Sequence, residues 1–120
     1  MTIFEINGPF FFSVADLLNE ELRRLDKDPK VFILRMRKVP VVDATGIYAL
    51  MEFNKKCRKK GILFILSGVR DELNTLLSQA GVISAVGPQH VFMHLDDALP
   101  YARKYLQMES LKSHGNVIFS

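Results

Sequence analysis

The chain has 120 residues, enough for one compact domain that buries roughly two-thirds of its unfolded surface, and it carries 16 basic against 13 acidic side chains for a formal net charge of +3. A single cysteine, Cys57, excludes an intrachain disulfide and leaves a reducing, cytosolic setting as the default. No apolar run approaches the roughly 18 residues that span a bilayer, and acidic Glu5 stands where a signal peptide would carry lysines, so the chain as given reads as soluble.

The opening TIFEI alternates apolar and polar side chains, as a half-solvated strand does, and Asn7, Gly8 and Pro9 supply a turn before the apolar Phe10, Phe11 and Phe12. Two short strands joined by a turn are expected there, with the phenylalanines packed in the core. Ser13 is positioned to cap a first helix whose apolar positions Val14, Leu17, Leu18, Leu22 and Leu25 share one face, with Pro29 marking its exit. VFILRM, starting at Val31, and GILFIL, ending at Leu66, are nearly continuous apolar runs of the kind found in central parallel strands covered on both faces. An amphipathic segment from about Ala44 to Lys60 lies between them, so the order is strand, helix, strand, which requires a crossover.

Beyond the second central strand, Ser67, Gly68 and Val69 form a loop, Asp71 caps a short helix carrying Leu73, Leu76 and Leu77, and Gly81 closes it. Val91 to Met93 reads as a last short strand. Asp96 and Asp97 begin a final helix through about Met108, where their charge complements the positive helix terminus, and Pro100 is tolerated in or near its first turn.

The corner of residues 43–46, Asp43, Ala44, Thr45 and Gly46, follows the first central strand, at the sheet end where loops and helix N-termini gather. Structurally, Asp43 or Thr45 caps the helix and Gly46 lets a second backbone pass close by. Functionally, Thr45 is a candidate phosphoryl acceptor or interface contact. A phosphate there would add about 1.5 to 2 negative charges beside Asp43 and alter the docking surface without unfolding the domain.

An apolar strand, then D-x-[ST]-G at a helix start, then a basic-ended helix and a second apolar strand resemble the STAS domain. That family includes anti-sigma factor antagonists and the cytoplasmic C-terminal domains of sulfate permease (SulP) anion transporters. In the antagonists the corner commonly reads D-S-[ST]-G with the hydroxyl before the glycine phosphorylated, and that hydroxyl falls on Thr45, while Ala44 replaces the other serine. The segment INGPFFFSVADLL, residues 6–18, resembles the G-P-[LF]-F-F opening of the SulP branch; LLSQAGVI and FMHLDDAL resemble later family segments. The resemblance implies an α/β fold with a mostly parallel sheet of about five strands and about four helices packed mainly on one side. It also implies a domain over residues 1–109, with 110–120 a flexible tail.

What it implies in function is a non-catalytic regulatory and interaction domain of a bacterial SulP-type transporter of sulfate or another anion, on the cytoplasmic side of the membrane. The alternative is a free-standing antagonist-like phosphorylation switch. The expected docking surface joins Asp43, Ala44, Gly46, Ile47 and Tyr48 to Ser67, Gly68, Arg70 and Asp71, with Arg70 near the corner. Lys55, Lys56, Arg58, Lys59 and Lys60 form a candidate membrane-surface patch for anionic headgroups. Expected partners are the transmembrane part of the parent transporter, cytosolic regulatory proteins or a nucleotide, and an anionic membrane; no motif of this chain independently supports the nucleotide, and nucleic acid is not expected. No cofactor or metal is implied: His90 and His94 in an extended segment are roughly 13 Å apart, and Cys57 has no evident histidine partner and reads as a buried small hydrophobe.

Overall fold

The computed structural model describes residues 1–25 and 27–118. Three strands, β1 (Thr2–Asn7), β2 (Val31–Lys38) and β3 (Leu63–Ser67), form a parallel sheet in the order β1-β2-β3. The crossing helices are α1 (Val14–Arg24) and α2 (Ala44–Lys59). After β3 come α3 (Asp71–Gln79), the short α4 (Val82–Val86), a 3-10 turn (Pro88–His90) and the long α5 (Leu95–Ile118).

Sequential strand order with crossovers of one hand places α1 and α2 on the same face of the sheet. There, Phe32 and Leu34 of β2 and Phe64 and Leu66 of β3 meet the apolar stripes of α1 to α4 in the larger core cluster. The rings of Phe32 and Phe64 sit edge-on to Phe53 of α2, at centroid distances of 5.1 and 5.2 Å. Alternate residues Val31, Ile33 and Ile65 point to the opposite face and are covered by Ala98 and Ala102, one turn apart on α5. Side chains this small bring the helix close to the sheet. Both faces of the central strands are therefore dry, which is why their sequences run apolar without alternation.

Two of the five expected strands are single bridges. Phe10 pairs in parallel with Val42, and Val91 with Leu66. After Pro9 the chain curls at once into α1: the Val14 and Ala15 amides donate to the Phe11 and Phe12 carbonyls. Phe10 is fully buried, whereas Phe11 is 38% and Phe12 72% exposed, so the expectation of three core phenylalanines holds for the first alone. Ser13 makes no side-chain capping bond, and Leu17 is exposed although Val14, Leu18 and Leu22 are buried. At the other end, α5 runs past Met108 to Ile118; residues 106–111 continue the helical pattern without glycine or proline. The expected tail from residue 110 is thus helical as far as Ile118, and its last two positions lie outside the described residues. Pro100 is the sixth residue of this helix, just past its first turn, at an exposed position. No helix of the described residues is long and apolar enough to cross a membrane.

Candidate functional site

β2 delivers the chain through Val39 and Val42, both buried, to a corner where Asp43, Ala44 and Thr45 are exposed. Asp43 is the N-cap of α2, in extended conformation, and its Oδ1 accepts from the Gly46 amide at 2.8 Å and from the Thr45 hydroxyl at 2.6 Å. Those two bonds, the hydroxyl's first, hold the Asp43 carboxyl below its ordinary value of 3.8. Asp43 and Thr45 are therefore capping and display group together: the carboxylate satisfies a free amide of the helix start and orients the hydroxyl beside it.

Gly46 is buried, and a Cβ there would overlap the Phe10 backbone carbonyl. The Phe10 amide donates to the Val41 carbonyl at 2.9 Å, and the Asp43 amide to the Phe10 carbonyl at 3.4 Å. The glycine is what lets the segment before α1 lie directly on the start of α2, and this contact fixes the corner in place.

The second half of the expected surface is divided by the fold. Ser67 is fully buried and Gly68 is buried with φ +72°, where a Cβ would come within 2.9 Å of the Arg37 Cα. Neither is available for docking, because the chain leaving β3 must pass under the end of β2 before it turns outward. Arg70 and Asp71 are exposed. Arg70 Nη2 donates to the Val39 carbonyl at 2.8 Å, so Arg70 braces the loop leading to the corner and does not bond to Asp43 or Thr45 themselves. Asp71 is the first residue of α3, adding its charge to the first turn with Glu72, while Arg70 takes the cap position.

The basic residues at the end of α2 and its C-cap Lys60 divide between two faces. Lys56 donates to Asn19 of α1 at 2.9 Å, Arg58 reaches the Ala85 carbonyl at 2.9 Å on the α4 side, and Lys60 pairs with Asp28 at 3.4 Å. Lys55 pairs with Glu52 one turn earlier at 3.4 Å. Helical periodicity splits the basic run: Lys55, Lys56 and Lys59 line one cleft on the α1 side, while Arg58 and Lys60 are turned away from it.

An apolar groove beside the corner escaped the sequence. A cavity of about 390 Å³ is lined by Phe12, Ala15, Ala44, Thr45, Tyr48 and Ala49, with Glu52 at its far end. Tyr48 is 67% exposed. The available signal was the run of three phenylalanines entering a helix, where the turn cannot bury all three.

Reactive groups are few. Cys57 is buried against the sheet, and the loss of solvent pushes its thiol up to about 12. His90 Nδ1 lies 2.9 Å from the Val86 carbonyl, with its ring against Tyr101. Among the described residues no group of three or more His, Cys, Asp or Glu side chains is arranged to hold a metal ion.

The family model described as the STAS domain matches residues 1–98. The chain belongs to the STAS domain family. Among solved structures, the sulfate transporter family protein from Wolinella succinogenes is 53% identical with a TM-score of 0.83, over 88% of this chain and 87% of that one. The SulP transporter STAS domain from Vibrio cholerae is 31% identical with a TM-score of 0.80, over 89% and 84% of the two chains. The putative sulfate transporter YvdB of Bacillus subtilis is 29% identical over 98 residues, which are 81% of this STAS domain and 18% of that protein. This STAS domain thus spans less than a fifth of the length of the curated relatives it matches.

Proposed function

We propose that this STAS domain is a non-catalytic regulatory and docking module of a SulP-type anion transporter, acting on the cytoplasmic side of the membrane. The observation that carries the reading is its likeness to the Vibrio cholerae SulP STAS domain over nearly the whole of both chains. The parent protein moves sulfate or another small anion, and this module tunes that movement by contact with the transmembrane part or a cytosolic regulator. Its contact surface is the exposed corner of Asp43, Ala44 and Thr45 with Tyr48, braced from behind by Arg70. The geometry supports display over chemistry: the Thr45 hydroxyl is held by a capping carboxylate, and the one thiol is buried and hard to ionise.

A pull-down tests the reading. The tagged chain, its Thr45→Glu variant and its Arg70→Ala variant are each incubated with the detergent-solubilised membrane part of a SulP transporter. Retention by the native chain, reduced by Thr45→Glu, is the expected outcome. Equal retention by all three, with the fold intact by circular dichroism, would reduce the corner to a helix cap. Stoichiometric phosphate on Thr45 in the presence of a cognate kinase, found by mass spectrometry without any membrane partner, would favour the antagonist-like switch.

A further inference from the structure

The apolar groove at the corner does not end there. A second cavity of about 370 Å³, lined by Asn19, Lys55, Lys56 and Lys59, shares Ala15, Ala49 and Glu52 with the first, so the two form one trough along the seam of α1 and α2. Alanines at the shared positions keep its floor low, where larger residues would fill it. One end presents the Phe12 and Tyr48 rings, 72% and 67% exposed, an unusual expenditure of large aromatic surface on water. The other end presents three ammonium groups. Lys55 is held by Glu52 and Lys56 by Asn19, while the Lys59 ammonium has no ion-pair or hydrogen-bond partner among the described residues.

We propose that this trough receives an amphipathic helix of a partner protein, apolar toward one end and acidic toward the other. Its apolar side chains would rest on Phe12 and Tyr48, and its carboxylates would face Lys55 and Lys59. From Thr45 to Lys59 the seam runs about 21 Å, the length of about 14 helical residues, and a cleft between two helices suits the helix-in-groove mode. Charge complementarity selects acidic over basic occupants: Glu52 offsets one of the three ammonium groups, and the other two outweigh the partial negative charge of the α2 C-terminus. A lipid surface fits less well, because the neighbouring cations are turned away, Arg58 toward α4 and the C-cap Lys60 toward Asp28. The trough takes in Ala44, Thr45 and Tyr48 of the corner and extends that surface along the seam, so the inference deepens the docking reading. The peptide assay contains no membrane part, and its failure is distinct from a failed transporter pull-down.

The test uses fluorescence anisotropy of the 120-residue chain with labelled helical peptides of about 15 residues. They carry leucines at i, i+3 and i+4 in one half and glutamates in the other, in both orders, with lysine-for-glutamate versions as controls. At least one glutamate peptide is expected to bind with Kd well below about 1 mM. The Phe12→Ala/Tyr48→Ala double variant is expected to weaken it by about tenfold or more. Lys55→Glu/Lys59→Glu should weaken the glutamate peptide and strengthen its lysine counterpart. All four positions are solvent-exposed, and thermal melts confirm that the variants fold. The inference is overturned if neither glutamate peptide binds, if lysine peptides bind the native chain as well, or if both double variants bind unchanged. Binding to phosphatidylcholine vesicles with about one-quarter phosphatidylserine, lost in Lys55→Glu/Lys59→Glu while no peptide binds, would assign the trough to lipid and likewise overturn it.

Discussion

Replacing Gly46 with alanine adds one methyl group where the backbone of another segment already stands. In an unobstructed helix the change would stabilise by up to about 1 kcal/mol. Here the new Cβ would overlap the Phe10 carbonyl, a backbone group that no rotamer change can move. Relief requires the segment around Phe10 to lift from α2, endangering the bonds from Phe10 to Val41 and from Asp43 to Phe10 and loosening a fully buried ring. Two hydrogen bonds at about 1 kcal/mol each, with about 1 to 3 kcal/mol of overpacking, exceed the helical gain and leave a net loss of about 2 to 4 kcal/mol. Urea unfolding followed by far-ultraviolet circular dichroism reads this directly as a lower midpoint at unchanged slope. A Gly46→Ala protein as stable as the native one would refute the claim that close approach of two backbones fixes the corner.

Three further outcomes follow from the same geometry. Because the Asp43 carboxyl is held below its ordinary value of 3.8 by the Thr45 hydroxyl and the Gly46 amide, its stabilising contribution is complete above that value and is lost as pH falls through the lower folded-state one. Asp43→Asn should therefore flatten the stability profile below about pH 4 in urea melts, and a profile as steep as the native one would contradict this. Cys57, with its thiol pushed up to about 12, should resist an aromatic disulfide reagent at about pH 8 in the folded protein and react fully in denaturant; rapid native reaction would contradict its burial. Phe53→Ala removes the ring that Phe32 and Phe64 pack against and should cost about 3 to 5 kcal/mol in the same unfolding assay.

The central strands and the crossing helices were legible because VFILRM and GILFIL are buried on both faces and α2 begins at a residue whose capping chemistry is local. Burial that depends on which strand covers which was not. Nothing in the tripeptide of phenylalanines says that only Phe10 finds a neighbour, in a single bridge to Val42. Likewise, Ser67 and Gly68 look like loop residues, yet β3 ends beneath Arg37 and buries both. The corner itself was readable as a D-x-T-G cap, and its exposure agrees with that reading. The trough beside it was hidden, since it depends on the packing of α1 against α2 and on Phe12 being left outside. The start of α5 was legible as well: Asp96 and Asp97 fall in its first turn, and Pro100 follows just past it.

The central claim is that the start of α2 is a contact surface, and a photoreactive amino acid in place of Tyr48 tests it most directly. Irradiation of cells producing this chain with the membrane part of a SulP transporter should yield a covalent adduct to that protein, absent when the same group replaces the exposed Ser84 on α4. Adducts of equal yield from both positions, or none from position 48, would contradict the account.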